Sequence, residues 1–74
     1  MDFLIKMIWD SDIKRWAAIG AAGMGLVLES DSFDLLVEKV RVAAPEMVGL
    51  NLNYKGPLNL HFVAERTDNL EAVG

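Results

Sequence analysis

Residues 23–40, GMGLVLESDSFDLLVEKV, change their periodicity halfway along. Leu26-Val27-Leu28, after a glycine-rich approach, reads as a strand ending near Glu29. Beyond Ser32, the apolar residues Phe33, Leu36, Val37, Val40 and Ala44 recur at helical spacing, the core-facing stripe of an amphipathic helix. Only Glu29-Ser30-Asp31-Ser32 separates the two patterns, which leaves no room for a loose loop. Asp31 or Ser32 can cap the helix by accepting from a first-turn N–H, and Asp34 sits favourably at the positive end of the helix dipole. Asp34, Glu38, Lys39 and Arg41 fall toward solvent. Leu35 and Val42 also lie outside the stripe, together on one flank.

The pattern extends outward in both directions. Phe3-Leu4-Ile5-Lys6-Met7-Ile8-Trp9 alternates at period two, with Phe3, Ile5, Met7 and Trp9 on one face and Leu4, Lys6 and Ile8 on the other. Asp10-Ser11-Asp12 has turn chemistry. Arg15 to Ile19 is a second strand, Gly20-Ala21-Ala22-Gly23 a turn, and Gly25 to Glu29 a third strand. After the helix, Pro45 lacks an N–H, which predicts a kink or a second short turn through Met47. Gly49 to Pro57 reads as a loop. Leu58 to Ala64 alternates as a fourth strand, with Leu58, Leu60, Phe62 and Ala64 toward the core.

The element order is therefore β-β-β-α-β, an α+β domain over residues 1–66 with a tail, 67–74, expected to fray. A helix between the third and fourth strands returns the chain to the opposite end of the sheet. The fourth strand then runs parallel to the first, in a right-handed crossover, giving a four-stranded mixed sheet of order 3-2-1-4 with one helix on one face. Nothing is expected to cover Leu4, Ile8, Ile19 and Val63 on the other face, and the third strand is an unpaired edge.

Composition bounds the function. A chain of 74 residues buries only about 60% of its unfolded surface, yet 53% of its residues are hydrophobic and the mean hydropathy is +0.26. The surplus belongs on the surface, where apolar patches mark contacts with a partner or another copy. Seven basic residues are scattered among eleven acidic ones, for a net charge of −4. That balance disfavours nucleic-acid binding by this chain and suits a basic protein partner. No cysteine is present, so neither disulfides nor thiolate-metal sites arise. The longest uncharged run, Trp16 to Leu28, is 13 residues, shorter than the ~20 a membrane helix needs. Asp2 and Lys6 interrupt any signal-peptide core, and the expected location is the cytoplasm.

Catalytic constellations fail residue by residue. His61, the lone histidine, shares the outward face of its strand with Asn59, Val63 and Glu65 and has no orienting partner. Ser11, Ser30 and Ser32 sit in turn or cap positions. Gly20 to Gly25 superficially suggests a phosphate loop but feeds a strand instead of opening a helix. Asp10-Ser11-Asp12 lacks the further ligands and the glycine of a calcium loop. The 3-2-1-4 sheet also opens the ribonuclease H fold, whose two-metal chemistry needs acids within the strands. Strand one carries only Lys6 as an ionisable group between Phe3 and Trp9, and strand four has no acid between Leu58 and Ala64. No catalytic, cofactor-binding or metal-ligating residue is assigned, and no cofactor is expected.

Three segments, IWDSDIKRWAA, GLVLESDSFDLLVEKV and APEMVGLN, together resemble a small bacterial domain family related to the HicB-type antitoxins. The matching features are Trp9-Asp10, Trp16-Ala17-Ala18, Gly25-Leu26-Val27, Ser32, Leu35-Leu36 and Pro45-Glu46, spread over residues 4–66. The resemblance implies a partial ribonuclease-H-like fold without nuclease activity, whose members block a small basic RNA-cleaving toxin. Many members add a DNA-binding segment, and no such segment is expected after Arg66. The alternative is a stand-alone structural or regulatory homo-oligomer. Candidate partner-binding residues are Leu35, Glu38 and Val42 on the helix flank, and Leu4, Ile8, Ile19 and Val63 on the open sheet face.

Overall fold

Period-two alternation at the N-terminus becomes strand β1 (Asp2–Asp10) in the computed structural model, which describes all 74 residues. Phe3, Ile5 and Met7 are buried, and Leu4, Lys6 and Ile8 face the other way. The Asp12 N–H donates to Asp10 Oδ1 at 3.0 Å, an aspartate folding back on its own backbone to close the turn. Lys14 completes that turn with a φ of 54°. Strand β2 (Arg15–Gly20) then pairs antiparallel with β1, placing Trp9 opposite Trp16 and Met7 opposite Ala18.

Strand β3 (Val27–Ser30) begins two residues later than the sequence pattern suggests. Gly25 has a φ of 72°, a left-handed conformation that a strand cannot include. The preceding segment is nonetheless part of the core. Met24 and Leu26 are both buried, and the Gly20 N–H donates to the Leu26 carbonyl at 3.0 Å.

Serines build the strand-to-helix corner. Ser30 is buried, and its Oγ accepts from the Ser32 N–H at 3.2 Å. The Ser32 Oγ in turn accepts from the Leu35 N–H at 3.3 Å, capping helix α1 (Phe33–Asn51). No separate second turn starts at Pro45, and α1 continues through it to Asn51. An interior proline removes one helical hydrogen bond, but the apolar stripe Leu36, Val40, Ala44 continues to Val48, which is also fully buried. Burial of that last turn outweighs the local cost. The far end is pinned as well: the Asn51 side-chain amide donates to the Met24 carbonyl at 2.7 Å. The loop is accordingly shorter than the expected 49–57, and no residue of it precedes Leu52.

Strand β4 (Asn59–Glu65) lies parallel to β1, and the sheet order is β3-β2-β1-β4 with the other pairings antiparallel. The core lies between this sheet and α1: Phe3, Ile5, Met7, Ala18, Met24, Leu26, Leu36, Val40, Ala44 and Val48. α1 lies closest to β2 and β3, and an open cavity of about 310 Å³, lined by Arg41 and Pro45 of α1 and by Leu58, Leu60 and Phe62, separates it from β4. Leu58, Leu60 and Phe62 are therefore only half-buried, and Ala64 is exposed instead of facing the core as its alternation suggests. Arg66 stacks over the Trp9 ring at 4.3 Å. Beyond β4 the chain has no helix or strand. No helix is long and apolar enough to cross a membrane.

Candidate binding surfaces

The helix flank and the end of β3 form the first surface. Leu35 and Val42 are 58% and 70% exposed, because the turns between them direct Leu36 and Val40 into the core. With Leu28 and Ala43 they line an open groove of about 390 Å³, edged by Glu38 and Lys39. Sequence reasoning places Leu35, Glu38 and Val42 together, as found. It misses Leu28 and Ala43, since their roles depend on α1 resting on β3 and not on β4. Leu28's place opposite the buried Ala18 is the signal that could have found it.

The charges around this groove are loosely tied. Glu38 Oε1 accepts from Arg41 Nη1 at 3.1 Å, and Lys39 Nζ donates to the Glu29 carbonyl at 3.4 Å. Glu29 Oε2 stands 3.7 Å from Arg15 Nε. All three contacts are solvent-exposed, and such contacts hold their geometry weakly, at ~0–1 kcal/mol each. They can rearrange around an incoming group. Asp31 and Asp34 add exposed carboxylates at the start of α1. Beside the groove, β3 pairs only with β2, so its outer backbone edge is unpaired apart from the Glu29 carbonyl, which Lys39 occupies.

The open face of the sheet is the second surface. Register places Val63, Lys6, Ile19 and Val27 in one row across the four strands, and Glu65, Ile8, Ala17 and Glu29 in the next. Leu4, Ile8, Ile19 and Val63 are all exposed here, as their alternation predicts, and Val27 joins them. Lys6 sits in the middle of these apolar side chains.

The titratable groups do not converge. No three His, Asp or Glu side chains approach closely enough to hold a metal ion. His61 lies exposed on the open face with Nε2 3.7 Å from Asp2 Oδ1. The Asp2 carboxyl is held below its ordinary value, chiefly because the Asn59 side-chain amide donates to it at 2.9 Å, with His61 and the N-terminus adding attraction against slight desolvation. Gly20 to Gly25 forms the turn into β3.

These features define a small α+β domain whose distinctive surfaces are apolar, one on the helix flank and one on the bare face of the sheet. The chain belongs to the family described as a domain of unknown function (DUF1902), which matches residues 2–72. Its fold is similar to that of a hypothetical protein from the extremely thermophilic bacterium Thermus thermophilus, with a TM-score of 0.77 and 24% identity over 95% of this chain and 100% of that one. At that identity the likeness speaks for the fold alone. No curated protein matches the chain.

Proposed function

We propose that the chain is a non-enzymatic protein-binding module of the HicB antitoxin type, acting in the cytoplasm to capture a small basic RNA-cleaving protein. The observation that carries this reading is the groove between α1 and β3, where Leu28, Leu35 and Val42 line an apolar opening beside Glu38. A hydrophobic anchor from the partner would enter the groove and set the lifetime of the complex. The acidic groups nearby, Asp31, Asp34, Glu38 and Glu29, and the net charge of −4 would speed and orient the encounter with a basic surface. The outer edge of β3 offers backbone groups that an extended partner segment can pair with. Capture in this way needs no catalytic group.

Co-expression with the product of a neighbouring reading frame encoding a small basic protein tests the proposal. The wild-type chain relieves the growth arrest that protein causes, and the Leu35→Lys variant, expressed to the same level, does not. Equal relief by both chains would refute the groove as the binding site.

A further inference from the structure

We infer that the open face of the sheet is a self-association surface, where two copies of this chain pack face to face with Lys6 of each paired to Glu65 of the other. This surface lies on the side of the sheet opposite α1, so the inference is independent of the groove described above. Strand alternation and register put Leu4, Ile8, Ile19, Val27 and Val63 on this face, between 37% and 69% exposed. Lys6 is surrounded by four of them: Ile19 and Val63 beside it in register, Leu4 and Ile8 on either side along β1. No carboxylate lies within ion-pair distance of it.

That placement selects the occupant. In an isolated copy the lysine stem can lie along its apolar neighbours with the ammonium in water. A purely apolar partner covering the face would strip that water from Lys6, which makes no ion pair within its own chain, so an occupant that brings a carboxylate within an apolar surface is favoured. This face carries one. Glu65 stands opposite Ile8, two register positions from Lys6 and on the same face, and it too has no ion pair. Glu29, at the other side of the sheet, is already held by Arg15 at 3.7 Å. Asp2 is held by Asn59 and His61 and Asp10 by the Asp12 N–H, which leaves Lys6 and Glu65 as the unpartnered cation and anion of this face, and a two-fold arrangement makes the Lys6–Glu65 contact twice.

Size sets the strength. The four strands, of nine, six, four and seven residues rising ~3.3 Å each at ~4.8 Å spacing, give two facing surfaces on the order of 800 Å² in total. That is the size of weak, transient interfaces, so the dimer is a reversible one. The α1 groove and both sheet edges remain open in such a dimer.

Analytical ultracentrifugation of the full chain from about 1 to about 500 µM tests this, with near-ultraviolet circular dichroism of Trp9 and Trp16 confirming each fold. The wild type is expected to show a monomer–dimer equilibrium within this range. Lys6→Glu and Glu65→Lys should each weaken it at least ~10-fold, because like charges then face each other twice. The double variant should return to within ~3-fold of the wild type, since the pair is restored with its signs exchanged. A wild type that stays monomeric throughout would overturn the inference. So would a double variant no tighter than the single ones, or an Ile19→Lys variant that dimerises like the wild type.

Discussion

The two faces of this sheet are built from the same strands, often from adjacent residues, and do opposite things. On one side Phe3, Ile5, Met7 and Ala18 lie sealed beneath α1. On the other, Leu4, Ile8, Ile19 and Val63 are just as apolar yet stand in solvent. Period-two alternation normally puts polar residues on a bare face. Here it separates two sets of hydrophobic residues, one that holds the chain together and one left exposed. The helix repeats the division, with Leu36 and Val40 inside and Leu35 and Val42 outside.

Truncation on the two faces gives the sharpest contrast. Ile5→Ala leaves a cavity at a fully buried site and is expected to cost 2–5 kcal/mol, about the range seen for such truncations. Leu4→Ala, the next residue on the open face, should cost no more than ~1 kcal/mol. Urea denaturation below the concentrations at which copies associate measures both. Equal losses would break the comparison.

A smaller effect tests how the core closes over its glycine turn. Gly25 has a φ of 72°, and a side chain added there would meet Asn51 Nδ2 at 2.7 Å. Gly25→Ala should therefore cost about 1–3 kcal/mol, through backbone strain and loss of the Asn51–Met24 hydrogen bond. In an Asn51→Ala background the same substitution should cost less, because the clash is gone. Thermal unfolding of the four chains in this cycle gives the coupling.

This closure marks where the sequence stops being legible. The alternation of β1, the Asp10 turn, the Ser32 cap and the strand order all follow from local chemistry and the reach of one helix, and all are present. The flank residues Leu35, Glu38 and Val42 are legible for the same reason, because helical spacing separates flank from stripe. Pro45 misleads, since its local penalty is visible in sequence while the burial of Val48 that overrides it is tertiary. Met24 is hidden in a glycine-rich segment that resembles a solvent turn, and the Asn51 contact shows why it folds inward. Ala64 alternates toward the core but is exposed, because an open cavity separates α1 from β4. The groove's Leu28 and Ala43 are obscured by that same placement of the helix.

Losing the serine cap at the corner should have a yet smaller effect. Ser32→Ala removes the acceptor for the Leu35 N–H and is expected to cost ~1 kcal/mol, measured by urea denaturation. The smallest effect lies at the rim of the open face. The Asp2 carboxyl is held low mainly by the Asn59 amide, so folding favours its charged form. That slight contribution is present above the ordinary carboxylate value and fades as the pH falls through the lowered one. In Asn59→Ala, the Asp2 titration followed by NMR should move up toward the ordinary value, with the core resonances unchanged.

The proposed division between residues that hold the fold and residues that would meet a partner is tested most directly by thermal scans of the wild type and Leu35→Lys, each with and without the candidate small basic protein. Alone, the two chains should unfold within ~0.5 kcal/mol of each other, because Leu35 stands in solvent. With the protein present, the wild-type transition should rise as binding stabilises the folded state, and that of Leu35→Lys should rise far less. A Leu35→Lys chain destabilised on its own, or one raised as far as the wild type, would contradict the account.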